Sequence, residues 1–389
     1  MLPVTQTTDL IVGQFTRLAY KARRFMDVPE IMQYLKFRQL RKRYNHEMWR
    51  NASRNIGASY APWKGGFCRI SRKGRTTFVR GGEMMLDDHL TLELMGNKSL
   101  VYDLLTEKGY EIPTHIRFTC KSLDRAEAFL RRQQASIVIK PESGTGGGHG
   151  VTTGITNSGQ LRKASRLASR FDINLIAEEH LTGSSYRLLY LDGEFIDAVR
   201  CDPPVLTGDG RRTIRQLIRD ENRQRLKGAP FNALSPLTID RDCRNWLSAH
   251  DLSLSSRPLQ GKTVQIKLAV NENASHENRV VRDQVHPNTI AMGAALVKDL
   301  GVAFAGLDIL CRDIALPLSP DNGVISEINT TPGLHHHYLV RKKDQLAPVA
   351  EIALEYILNT SRGTLLLDTH STLQVSKIPS VKAPNIKAI

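Results

Sequence analysis

Apolar positions along this 389-residue chain alternate between two periods, and the changes of period outline its elements. Over 11–25, Ile11, Phe15, Leu18, Ala19 and Ala22 recur at helical spacing with Arg17, Lys21, Arg23 and Arg24 on the other faces, which predicts an amphipathic helix. After a break at Pro62, Gly65 and Gly66, residues 67–70 and 76–79 read as the arms of a hairpin around 71–75. The stretch 87–109 is helical in character, 122–133 is a predicted helix with Ser122 at its N-cap, and 137–140 is a predicted buried strand. Further strands are expected over 175–178, 186–190, 194–199, 264–268 and 304–311. Helices are expected over 160–169, 213–224, 287–300 and 348–358, with Pro287 opening the third and Gly301 closing it. From 361 onward the chain reads as an irregular tail, and no internal repeat is visible. The mixture is α+β or α/β, and the length accommodates two or three subdomains.

Charge changes this picture in one region. Residues 1–80 hold 17 Lys/Arg against 4 Asp/Glu, so they supply +13 of the chain's net +15. The basicity therefore belongs to one N-terminal region, bounded near residue 82. A docked helix with a solvated basic face, contact with an anionic partner or substrate, and a membrane surface are its three uses. The basic run 36–43 lacks the aromatic interleaving of a single-strand binder, so nucleic acid is not the expected partner. No uncharged apolar run approaches the roughly 18 to 20 residues that span a bilayer, and no apolar stretch follows a basic start. A soluble, cytoplasmic protein is the expectation. Cys68, Cys120, Cys201, Cys243 and Cys311 are scattered, odd in number and without a C-x-x-C pair, which implies neither a disulfide framework nor a zinc site.

Candidate chemistry is concentrated in two runs. Gly-Leu-Asp-Ile-Leu at 306–310 and Gly-Val-Ile-Ser-Glu-Ile-Asn at 323–329 place Asp308, Glu327 and Asn329 on apolar strands. The i, i+2 spacing sends Glu327 and Asn329 to one face. Hard oxygen donors of this kind suit Mg²⁺, which keeps waters and completes its shell with phosphates. The second run, 137–151, is a strand, Lys140, and a loop containing Gly144, Gly146, Gly147, Gly148 and Gly150. Bare N–H groups there can wrap a polyphosphate while the lysine adds a point charge. The loop fits neither the Walker A nor the G-x-G-x-x-G pattern. His335, His336 and His337 are consecutive, so their side chains do not converge easily on one zinc ion. His149 is a loop residue within reach of phosphate, and His286 reads as the entry to the following helix.

Taken together, these motifs resemble the ATP-grasp superfamily: strand, Lys140 and glycine loop, then Glu178-Glu179 with Gly183 behind them, then Asp308, then Glu327 and Asn329. Asn97-Lys98-Ser99-Leu100, with Gly109 and Pro113 further on, is similar to the family's first nucleotide-binding lysine and the strand entry that follows. The stretches 182–189, 198–210, 213–222, 285–288 and 327–334 look like the ATP-grasp module of cyanophycin synthetases, which also occurs in bifunctional glutathione synthetases and related amino-acid ligases. The resemblance covers roughly 83–358. It implies an α+β ATP-grasp fold, two subdomains clasping ATP, with a basic N-terminal extension. The expected segments are 1–82, 83–183, 184–358 and a tail from 359 to 389.

What the resemblance implies for the site is specific. Lys98, Lys140, Gly146, Gly147 and Gly148 are expected to contact the nucleotide phosphates, while Glu178, Glu179 and Leu181 belong to a hinge whose backbone reads adenine. Asp308, Glu327 and Asn329 would hold Mg²⁺, with Mn²⁺ as a substitute. Arg200 is expected against the transferring phosphoryl group, and Arg187 on a substrate carboxylate or phosphate. The implied activity is ATP-dependent ligation of a carboxylate to an amine, joining amino acids, or an amino acid and a peptide, through an acyl phosphate. Acidic substrates are suggested by the basic N-terminal region, and a homo-oligomer is the default. Two departures bear on substrate identity. The loop 273–284 lacks the acidic pattern of the relatives, and no Mur-ligase-like module lies within these residues, so two-site polymer synthesis is not expected. A phosphotransferase, or an ATP-regulated module holding an anionic partner, are the alternatives.

Overall fold

The computed structural model describes residues 28–133, 135–143, 149–228 and 230–366. The helix expected over 11–25 and Gly146, Gly147 and Gly148 lie outside them. Three sheets organise the chain, and the candidate site falls between two of them.

The N-terminal unit is a 28-residue helix, Val28–Asn55, followed by strands β1 (Ser59–Pro62), β2 (Cys68–Arg72) and β3 (Arg75–Val79) in an antiparallel sheet. This helix is a finding beyond the sequence reading. Its buried stripe Phe37, Leu40, Tyr44, Met48, Trp49 and Ala52 recurs every three or four residues, which is one face of a helix. It packs on the C-terminal helix Val349–Thr360. The chain beyond that helix also returns to the sheet: β15 (Leu365–Leu366) pairs with β3, where an irregular tail was expected.

The second sheet has the order β4 (His115–Thr119), β7 (Asn174–Glu179), β5 (Ile137–Pro141), β6 (Thr152–Ile155) and is antiparallel throughout. Helices Leu123–Arg132 and Ser158–Ala168 cover one face, burying Phe118, Phe129, Ile137, Ile139, Leu161 and Leu175. That leaves alternate residues of β5 and β7, including Lys140 and Glu178, on the other face.

The third sheet runs β12 (Asn278–Val280), β9 (Glu194–Cys201), β8 (Ser184–Leu191), β13 (Phe304–Cys311), β14 (Gly323–Asn329). The β8–β9 hairpin turns through Asp192 and Gly193, both at positive φ (52° and 77°), which is the backbone a tight two-residue hairpin requires. Helices Lys98–Glu107 and Pro287–Asp299 lie on one face over Leu188, Leu307, Ile309 and Ile328. Further along the opposite face, Leu189 and Leu191 join the core of the N-terminal unit, so the basic helix is built into the body of the protein.

Between β9 and β12 the chain inserts a small unit, a ribbon of β10 (Val205–Thr207) and β11 (Thr263–Gln265) with helices Ile214–Arg225 and Arg241–Ala249. Of the strand expected over 264–268, only Thr263–Gln265 pairs as a strand. Lys267 is fully buried there, bonded to Asp240 (2.8 Å) and Glu272 (2.9 Å). No helix among the described residues is long and apolar enough to cross a membrane.

Candidate active site

The expected helix over 87–109 is two helices, His89–Met95 and Lys98–Glu107, and the break between them positions the first lysine. Asn97 caps the second helix, its side-chain oxygen accepting from the N–H groups of Ser99 (3.0 Å) and Leu100 (3.2 Å). Lys98 and Tyr102, one turn apart, share a face that looks into the gap between the second and third sheets. Lys98 Nζ meets Glu327 Oε1 at 3.0 Å. The Tyr102 hydroxyl lies 3.0 Å from both Glu178 Oε2 and the Ser326 carbonyl oxygen, so this one ring ties β7 to β14.

From the second sheet, Lys140 Nζ contacts Glu178 Oε2 at 2.6 Å and donates to the Tyr102 hydroxyl at 2.9 Å. Both charged side chains are buried. A buried ion pair is weak evidence for stability, because desolvation offsets the attraction. Its place in the gap points to ligand chemistry instead. Tyr102 was not among the residues the sequence singled out, although its four-residue offset from Lys98 on a helix is the signal that would have found it. Tyr102→Phe is expected to weaken nucleotide binding by roughly ten- to a hundredfold, the cost of about 1.5–3 kcal/mol for a hydrogen bond lost to charged partners, with the fold kept. Titration with a fluorescent ATP analogue and a thermal melt check both parts.

On the third sheet, strand register brings Asp308 opposite Glu327 on one side and Arg187 on the other. Arg187 grips Asp308 with two bonds of 2.7 Å, from Nε and Nη2, and Asn329 Nδ2 donates to Asp308 Oδ2 at 3.1 Å. Gly306, opposite Asn329, leaves room for the turn that follows: a Cβ there would lie 2.8 Å from Pro332 Cβ. Burial works to raise the Glu327 carboxyl, but Lys98 and Lys140 outweigh it and hold it below the ordinary glutamate value. Asp308 goes the other way, raised by burial and by Glu327 against the pull of Arg187. Two carboxylates and a carboxamide thus converge on one edge of the gap. Among the described residues no group of three or more His, Cys, Asp or Glu side chains is arranged to hold a metal alone. Two carboxylates and a carboxamide are hard oxygen donors of the kind that fits Mg²⁺, an ion that takes much of its shell from waters and phosphates.

Arg200 is not brought to this cluster. It sits opposite Tyr186, whereas Arg187 sits opposite Val199, so strand alternation turns Arg200 to the other face of the sheet, where its Nε bonds Asp202 Oδ1 at 2.7 Å. In the hinge, the N–H of Glu179 donates to Thr114 and that of His180 to Ser136, and the Glu179 carboxylate accepts from the Thr114 N–H at 2.8 Å. The Leu181 N–H makes no backbone bond among the described residues.

The three histidines do not converge. The rings of His335 and His336 lie against each other at 4.1 Å, whereas His337 turns into the core and bonds Asp197 Oδ2 at 2.8 Å, both side chains fully buried. Burial, with the charges of Arg41 and Arg187 adding to it, pushes the His335 imidazole down to about 3, and His336 is also driven well below its ordinary value. Both are neutral in the fold. The unfolded chain takes up protons at these histidines first, so stability is full above about pH 6.5 and is lost as pH falls toward 3. The melting temperature should drop between pH 7 and pH 5, at up to about 1.4 kcal/mol per pH unit for each such histidine, and His335→Gln should flatten that slope.

The chain is similar to several known proteins. No family model matches the chain. Cyanophycin synthetase of Trichormus variabilis is 30% identical over 251 residues, 64% of this chain and 27% of that protein. The glutathione biosynthesis bifunctional protein GshAB of Mannheimia succiniciproducens is 26% identical over 280 residues, 70% of this chain and 36% of that protein. Among solved structures, a bifunctional glutathione synthetase from Pasteurella multocida superposes with a TM-score of 0.51 at 20% identity, covering 79% of this chain and 43% of that one. The chain thus spans about a quarter to a third of the length of the curated relatives it matches. Over about two thirds of its length the chain is thus similar to cyanophycin synthetases and bifunctional glutathione synthetases, and it shares the fold of a bifunctional glutathione synthetase.

Proposed function

We propose that the protein is an ATP-dependent, ADP-forming carboxylate–amine ligase that joins amino acids, or an amino acid and a peptide. The observation that carries this reading is the pairing of Lys140 with Glu178 on the second sheet and of Lys98 with Glu327 on the third, the two pairs joined through Tyr102, with Asp308 and Asn329 beside them. In this reading ATP enters the gap with its adenine on the Leu181 N–H. Lys98 and Lys140 then exchange their carboxylate partners for phosphate oxygens, and Gly146, Gly147 and Gly148 cover the polyphosphate. Glu327, Asp308 and Asn329 would hold Mg²⁺, or Mn²⁺ in its place, which supplies charge neutralisation on the phosphates.

The chemistry asks for positioning and charge compensation, not for a protein nucleophile. A substrate carboxylate oxygen attacks the γ-phosphorus, the bond to the β-phosphate oxygen breaks, and ADP and an acyl phosphate result. An amine then attacks the acyl carbon and loses a proton. The C–O bond to phosphate breaks, leaving an amide and inorganic phosphate. Arg187 is the guanidinium on the reacting face and suits the substrate carboxylate or the acyl phosphate oxygens. Arg200, expected against the transferring phosphoryl group, lies on the opposite face and bonds Asp202 in this structure.

ADP release measured over a matrix of amino acids and short peptides, with hydroxylamine as surrogate amine, tests the reading. One carboxylate should yield a hydroxamate, and ¹⁸O placed in that carboxylate should appear in the released phosphate. ADP formed together with a stable phosphorylated product and no amide would make the protein a phosphotransferase. Tight nucleotide binding without turnover in any well would remove the ligase reading.

A further inference from the structure

Beyond the nucleotide gap lies a cavity of about 1070 Å³. One wall is the N-terminal helix Val28–Asn55, and the other is the inserted unit, through helix Ile214–Arg225 and residues 235–239. Four arginines line it, Arg38 and Arg41 from the first wall and Arg215 and Arg219 from the second. Each pair is three or four residues apart on its helix and so projects from one face. Arg38, Arg215 and Arg219 are exposed to the cavity's solvent, while Arg41 is steadied by bonds of 3.3 Å to the Leu234 carbonyl and Ser235 Oγ. The one carboxylate among the described lining residues, Glu272, is already committed to Lys267 and Thr238. The cavity therefore carries an uncompensated positive charge.

His149, directly after the glycine-rich loop, lines the cavity, and the charge of Arg41 is felt at His335, close behind the Glu327–Asn329 edge in sequence. Its volume lies at the upper limit of small-molecule sites, about 300–1,000 Å³, which favours a short peptide over a single amino acid. Guanidinium groups match carboxylates with paired, charge-assisted bonds. A nucleic acid would be served by an extended track with stacking rings, whereas here the four guanidiniums surround a single volume.

We propose that this cavity seats a peptide substrate bearing several carboxylates, and that Arg38, Arg41, Arg215 and Arg219 read those carboxylates. The basic N-terminal helix is then one wall of the substrate site and a determinant of specificity. The proposal names the substrate class for the ligase reading and rests on it for turnover, but not for binding.

Isothermal titration of the full chain with tri-glutamate, tri-glutamine and a single-stranded oligonucleotide tests it, in parallel with the hydroxamate assay. Tri-glutamate should bind at least about tenfold more tightly than tri-glutamine. The double variant Arg38→Gln/Arg219→Gln, at two exposed positions, should weaken tri-glutamate by about 10- to 100-fold, while the melting temperature and the affinity for an ATP analogue stay as they were. Equal affinity for tri-glutamine, an unaltered double variant, or tighter binding of the oligonucleotide overturns the proposal. Tri-glutamate binding that the variant abolishes, with no hydroxamate from any carboxylate, leaves the cavity assignment standing and removes the ligase reading alone.

Discussion

Glu327→Gln is expected to lower magnesium-dependent ADP formation by at least about a hundredfold while changing the melting temperature little. The substitution keeps the side chain's shape and one oxygen that can accept from Lys98 Nζ, 3.0 Å away, so the local packing survives. What it removes is a charge, at the edge where Asp308, Asn329 and Glu327 converge. Lys98 and Lys140 hold that carboxyl below the ordinary glutamate value, the charged form that the proposed metal-bound polyphosphate would require. The Glu327 side chain is 37% exposed, which keeps the structural cost of losing the ion pair near the surface range of about 0–1 kcal/mol. A coupled ADP assay across a magnesium titration, with a thermal melt of both proteins, separates the two effects. Unchanged turnover at saturating magnesium would take Glu327 out of the metal shell and leave the reading of the whole trio without its centre.

The site was more legible in the sequence than the body that holds it. Asp308, Glu327 and Asn329 stand on strands whose period of two is visible at once, and the register then places Asp308 opposite both Glu327 and Arg187. Lys98 and Lys140 come from motifs with local capping and strand signals. Two things depended on pairings that a sequence does not print, and a third on a stripe masked by charge. The face of Arg200 follows from which residue of β8 it meets, Tyr186 and not Arg187. The buried Lys267 is balanced by Asp240, 27 residues earlier in the chain. The helix Val28–Asn55 hides an apolar stripe under a dense run of arginine and lysine, so charge drew attention to its solvated face while Phe37, Tyr44 and Trp49 formed the other. A net charge concentrated in one region says where partners are attracted; it does not say whether the region is separable from the fold.

That last distinction carries the second large effect. Trp49→Ala should destabilise the protein by about 3–5 kcal/mol, read from urea denaturation, whereas Met32→Ala, at an exposed position of the same helix, should stay within about 0.5 kcal/mol. Trp49 is fully buried and its indole N–H donates to the Gly81 carbonyl at 2.8 Å. Alanine would leave both a cavity and an unanswered backbone acceptor. The surrounding core joins Ile70 and Val79 of the first sheet, Leu354 and Ile357 of the C-terminal helix, and Leu189 and Leu191 of the sheet that carries Arg187. Loosening the helix therefore loosens the strand that carries Arg187 beside Asp308 and withdraws Arg38 and Arg41 from the cavity in the same step. A truncation that begins at residue 61, which the charge distribution alone treats as removal of an appended basic segment, should fail to give a cooperatively folding protein. If that truncation instead melts as a single transition near the temperature of the full chain, the helix is a detachable recruiter, and its arginines have to be sought in a partner's surface and not in the substrate cavity.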